Sequence, residues 1–158
     1  MESMQTPLSE NLDLPLRKVD VLLQHYGLSH THPVNEVIHF VAIPAIMLSL
    51  NGLLFALHPV LVLVLIAGSL VYYARLSWPF TLCMLILSSV MLALVDAMAT
   101  AGVLVQASLG IFVVAWVFQF IGHHVEGKKP SFFEDLQYLL VGPLFVLSKA
   151  FERLGVRW

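Results

Sequence analysis

Charge and thiol groups are scarce in this sequence. Only 11% of its 158 residues are Asp, Glu, Lys or Arg, against about 25% in soluble domains, so the chain cannot surround itself with a water-facing shell. Its one cysteine, Cys83, lies inside an apolar run. That excludes an internal disulfide and argues against a zinc–thiolate centre. Eight Lys and Arg against ten acidic residues give a formal net charge of −2, which is no footprint for nucleic acid. The first 35 residues lack the basic, apolar and small-residue succession of a cleavable signal peptide, so membrane entry is expected through internal segments. Internal repeats and low-complexity tracts are absent.

Apolar residues fill the space left by charge, at 59% of the chain with a mean hydropathy of +0.87. Val37 to Leu57, Pro59 to Leu76, Trp78 to Val95 and Ala101 to Gly122 are four apolar segments. Each has roughly 18–22 residues, where about 20 cross the hydrocarbon of a bilayer. Their short connections make neighbours antiparallel. The expectation is an all-α integral membrane protein with one domain over 1–158. Residues 1–32 form an N-terminal interfacial segment and 33–122 a bundle of four transmembrane helices. Residues 123–158 carry a histidine motif and an interfacial or re-entrant helix. The amphipathic N-terminal stretch carries Leu16, Val19, Leu22/Leu23 and Tyr26 and closes at Gly27. Phe132/Phe133, Leu136 and Leu139/Leu140 recur at helical spacing near the other end, before the interruption Gly142-Pro143. "ASLG" at 107–110 is a stretch of small residues expected to let the fourth segment approach a neighbour closely.

Arg17 and Lys18 precede the first apolar segment, Arg75 sits between the second and third, and the other five basic residues follow the fourth. The positive-inside rule then puts both termini in the cytoplasm, and the expected location is a bacterial inner membrane.

Seven histidines accompany those eight basic residues. "SHTHPVNEVIH" (29–39) opens the first apolar segment: Pro33 suits a first helical turn, which places the helix start there with His32 as an N-cap neighbour. Asn35 and His39, four apart, share a helical face. "WVFQFIGHHVEGKKP" (116–130) ends the fourth segment, with His123, His124 and Glu126 at its close and Gln119 one turn deeper. The first segment starts on the cytoplasmic side and the fourth ends there, so both clusters meet at one membrane face. Imidazoles without thiolates suit a transition metal, and polar groups at such depths are commonly functional. His30, His39 and His123 are read as metal ligands. His32 and His124 are each a ligand, a partner of a ligand or a surface residue. His25 and His58 are read as headgroup-level or turn residues.

These two motifs, with Pro44 after the first and the tail "DLQYLLVGPLFVL", resemble the iron-dependent 2-hydroxy fatty acid dioxygenase family over nearly the whole chain. His30, Pro33, Asn35 and His39 match the first motif; Gln119, Phe120, Gly122, His123 and Pro130 match the second. The resemblance implies Fe2+ as cofactor, held at the catalytic histidines His30, His39 and His123, with His32 or His124 as a fourth ligand. Its substrates are then a long-chain 2-hydroxy fatty acid, chelating through carboxylate and hydroxyl, and O2. Cleavage between the first two carbons gives an acid one carbon shorter. Asn35 and Gln119 fit roles behind the ligands, orienting histidines by hydrogen bonds. Glu126 is the best-placed acid if the metal takes a carboxylate, and an all-histidine set with Glu126 behind it is preferred. Glu36 is a weaker candidate, on another face. Lys128 and Lys129 fit the substrate carboxylate or anionic lipid headgroups. Phe40, Phe118 and Phe120 fit either the acyl chain or plain packing. Two other classes compete: a histidine-box hydroxylase or desaturase, and a non-enzymatic metal-binding or metal-transporting bundle.

Overall fold

Proline sets three of the helix starts. In the computed structural model, which describes residues 17–28, 30–127, 138–156 and 158, Pro33, Pro59 and Pro79 stand at the first or second position of their helices. There the missing N–H is not needed and the fixed φ is already helical. The described elements are all helices: α1 (Lys18–Gly27), α2 (Pro33–Leu57), α3 (Pro59–Ala74), α4 (Trp78–Thr100), α5 (Leu104–Glu126) and α6 (Val141–Leu154). Two starts share a further device. His32 and His58 each turn Nδ1 back to accept the N–H two residues on, from Val34 and Val60, both at 3.2 Å. At its far end α5 stops at Gly127, whose φ of +74° is the left-handed conformation that glycine adopts without steric cost.

Helices α2, α4 and α5 are long and apolar enough to cross a membrane. The expected fourth span is shorter than its sequence suggests. Helix α3 has 16 residues, about 24 Å of rise, because the N–H groups of Leu76 and Ser77 both bond back to the Tyr73 carbonyl and turn the chain. Apolar side chains face outward on each of these four helices, as at Val41, Val64, Ile86 and Val113.

The closest pairing is antiparallel, α2 against α5. It rests on two glycines. A Cβ at Gly52 would lie 2.1 Å from Ser108 Oγ, and one at Gly122 would lie 2.3 Å from Asn35 Oδ1. Ser108 comes from the small-residue stretch at 107–110, but Gly110 has open space where its Cβ would be. The close approach therefore uses one residue of that stretch.

At the other side α1 and α6 pack together. Val19, Leu23 and Tyr26 of α1 share a core with Leu144, Phe145 and Phe151 of α6, and with Tyr73 and Phe80 flanking the α3–α4 turn. Gly142-Pro143, read from sequence as an interruption, falls in the first turn of α6, where proline is tolerated. Of the helical spacing expected from Phe132 to Leu140, residues up to 137 lie outside the described residues, as does Leu16, and 138–140 form a turn that leads into α6. Arg17, Lys18, Arg75, Lys149 and Arg153 are thus on elements gathered at one end of the bundle, the end where α2 begins and α5 finishes.

Candidate metal centre

Three histidines from three parts of the chain meet at that end. His30 follows α1, its N–H bonded to the Gly27 carbonyl at 3.0 Å; His39 is in the second turn of α2; His123 is in the last turn of α5. They are 6%, 0% and 6% exposed, and a ring nitrogen from each lies within 4.8 Å of the other two.

The backbone determines which nitrogens are on offer. His30 Nδ1 is 2.8 Å from the Tyr26 carbonyl oxygen, and His39 Nδ1 is 2.9 Å from that of Asn35. A carbonyl oxygen only accepts, so both Nδ1 atoms donate, and each neutral ring is left with an acceptor lone pair at Nε2. Those two Nε2 atoms face each other at 3.0 Å. Two acceptors at that distance require a positive centre between them. Two imidazole nitrogens bound at about 2.0–2.1 Å to one metal, at right angles, lie about 3 Å apart. A proton bridges two nitrogens; a metal uses three. The donor set therefore fits a metal ion, and neutral imidazole suits zinc, copper, nickel or iron.

Aromatic rings hold His30 in place. Tyr26 stacks on it at 4.2 Å between centroids, nearly parallel at 10°, and Phe145 of α6 lies 5.8 Å away. Neither residue stands out in the sequence as part of a site. Tyr26, four residues before His30, reads there only as one of an amphipathic set.

Glu126 has a different task from ligation in this arrangement. Its Oε1 accepts from the Thr31 N–H at 2.8 Å and the Thr31 hydroxyl at 2.5 Å; its Oε2 accepts from the His32 N–H at 2.9 Å and Asn35 Nδ2 at 3.0 Å. It ties the end of α5 to the start of α2, where unsatisfied N–H groups and the helix dipole favour an anion. Asn35 joins this clamp to the histidines through its backbone: its side chain donates to Glu126 while its carbonyl oxygen orients His39. Its side-chain oxygen packs against Gly122 and has no hydrogen-bond partner.

The remaining expected residues sit apart from the three rings. His32 is exposed and caps α2, and His124 is exposed on α5. Gln119 is 3% exposed, one turn before His123, and its Oε1 lacks a partner. Glu36 pairs with Arg153 at 3.4 Å. His25 is exposed, and His58 caps α3 at the opposite end. Phe40, Phe118 and Phe120 are 40%, 52% and 42% exposed and face out of the bundle; Phe40 borders a shallow outer cleft with Glu36, Val41 and Arg153. Lys128, Lys129 and Pro130 lie outside the described residues.

Residues 16–154 match the family described as 2-hydroxy-palmitic acid dioxygenase Mpo1-like. The chain is also 29% identical over 140 residues to 2-hydroxy-palmitic acid dioxygenase MPO1 of Saccharomyces cerevisiae, covering 84% of this chain and 79% of the yeast protein. No solved structure matches it.

Proposed function

The chain belongs to the Mpo1-like 2-hydroxy-palmitic acid dioxygenase family, and from that premise we propose that it is an iron(II) enzyme. It cleaves long-chain 2-hydroxy fatty acids with O2 to the acid one carbon shorter. The observation that carries this reading is the pair of Nε2 acceptors at 3.0 Å, with His123 converging on them.

The reaction balances without another reactant. The bond between the carboxyl carbon and the hydroxyl-bearing carbon breaks. One 2-hydroxy acid and one O2 give the shorter acid, one CO2 and one water. The acid gives up four electrons, which is what reduction of O2 to the water oxidation level takes. Iron(II), when bound, supplies the one-electron chemistry toward O2 that side chains lack.

The protein's own residues prepare the place. The carbonyls of Tyr26 and Asn35 hold two rings with Nε2 inward, an arrangement that raises ligand basicity and fixes ring orientation. Tyr26 and Phe145 cover the His30 side with apolar surface. Glu126 fastens the two helices that carry His39 and His123. His30, His39 and His123 are the ligands in this reading, and His32 acts as a helix cap.

The basic residues gathered at this end support, by the positive-inside rule, a site and both flanking ends of the bundle on the cytoplasmic side of a bacterial inner membrane. Reporter fusions at Gly102 and after α6 should fall on opposite sides. The reaction is tested by oxygen uptake and product mass spectrometry on the iron-loaded protein. 2-Hydroxypalmitic acid should be shortened by one carbon and palmitic acid left intact; turnover of both alike, or of neither, removes the proposed reaction.

A further inference from the structure

Building on the dioxygenase reading, we propose that a groove between α2 and α5 takes the acyl chain, and that Gln119 Oε1 receives the hydrogen of the 2-hydroxyl group. The groove is lined by Ile43, Ile46 and Leu50 of α2 and by Phe112, Trp116 and Gln119 of α5. Steps of three and four residues put each trio on one helical face. Continued by four residues, the same faces reach His39 on α2 and His123 on α5. Tyr26, whose ring stacks on His30, also lines the groove, as does Gly142. A Cβ at Gly142 would come within 3.0 Å of Ile43 Cδ1 and 3.3 Å of the Tyr26 hydroxyl, so the missing side chain leaves that wall flat. The groove thus begins one helical turn from His39 and His123, with Tyr26 between it and His30. From Ile43 to Leu50 it spans about 10 Å of helix rise, a length that takes the part of the acyl chain nearest the carboxyl end.

Gln119 supplies the polar end. A buried acceptor without a partner is unfavourable unless something arrives to donate to it. Asn35 Oδ1 is equally without a partner, but Gly122 fills the space beside it; Gln119 borders the groove. An ionised fatty acid brings only acceptors and apolar carbon, whereas its 2-hydroxy derivative brings one donor. A site built to bond a hydroxyl rejects the analogue without it, because its own polar group is then left unpaired. This gives the protein a reason of its own to prefer hydroxylated acids. It also moves the acyl chain away from Phe40, Phe118 and Phe120, which face outward.

The test uses the whole chain in lipid nanodiscs without iron. The probe is a 2-hydroxy fatty acid carrying a diazirine part-way along its chain, photolysed with and without excess 2-hydroxypalmitic acid. The label that excess acid competes away should fall on and around Leu50 and Phe112. Competable label confined to Phe40, Phe118 or Phe120 would overturn the proposal. Gln119→Leu should weaken binding of 2-hydroxypalmitic acid roughly five- to tenfold and leave palmitic acid binding unchanged; an equal loss for both acids would overturn the role of Gln119. Because labelling needs neither iron nor turnover, groove label without turnover would support this inference while removing the reaction. Turnover with only outward label would do the reverse.

Discussion

The α2–α5 pair makes the same kind of contact at both ends, and among the described residues only one end brings three histidines together. At each, a glycine of one helix lets a polar side chain of the other come close: Gly52 with Ser108, Gly122 with Asn35. At the Gly52 end the neighbouring polar groups are absorbed by packing. Ser49 bonds to the Ile46 carbonyl of its own helix at 2.7 Å, and Asn51 reaches Met91 Sδ at 3.8 Å. At the Gly122 end, two imidazoles present acceptors to each other at 3.0 Å while their other nitrogens are committed to carbonyls. At the first end the buried group without a partner is the single hydroxyl of Ser108; at the second, three imidazoles converge with a ring nitrogen of each within 4.8 Å of the others. The facing acceptors are a local conflict of the kind expected at a functional site. Histidine content alone does not make this distinction, since His32 and His58 cap two helices in the same way and lie outside the cluster.

The largest expected effect comes from the rings themselves. His39→Ala or His123→Ala should lower iron affinity by well over 100-fold, beyond the 10- to 100-fold typical of groups that only support a ligand, and turnover should fall with it. Metal analysis after purification reads this directly.

Next, the two glycines can be set against each other. Gly52→Ala and Gly122→Ala each place a methyl group against a polar side chain, and each should destabilise the protein by about 1–3 kcal/mol. Thermal unfolding in detergent should show similar losses. Only Gly122→Ala should also reduce iron affinity, because it displaces Asn35 and with it the carbonyl that orients His39. Equal iron loss in both variants would erase the distinction between the two ends.

Glu126→Gln keeps the shape of the clamp but removes its charge and replaces one acceptor by a donor. Iron should stay bound, with activity reduced about tenfold; complete metal loss would make the carboxylate a ligand. Smallest of all are the caps. His32→Ala and His58→Ala should each cost about 1 kcal/mol of stability and leave iron content unchanged, and asparagine at either position should restore most of the loss.

The parts of this arrangement that were legible in the sequence rest on local or topological signals. Pro33 with His32 before it marks a helix start without any tertiary information. The convergence of His30, His39 and His123 follows from two helices that begin and end at one face. Glu126 as a clamp was not legible, because two of its donors are backbone N–H groups of Thr31 and His32, more than ninety residues away. The orienting carbonyls of Tyr26 and Asn35 are hidden for the same reason: every residue has one. The outward direction of Phe118 and Phe120 was invisible because α5 is apolar nearly all round, and periodicity then marks no inner face. The shortness of α3 depended on where the Tyr73 carbonyl gathers its bonds, which composition does not record.

The central claim is that the conflict between His30 and His39 is resolved by a metal shared with His123. It is tested most directly by iron stoichiometry in the wild-type chain, His39→Ala, His123→Ala and the cap variant His58→Ala, all purified anaerobically and loaded with iron(II). The account expects iron in the wild-type and His58→Ala proteins and almost none in the other two. Full iron in His39→Ala and His123→Ala would contradict it.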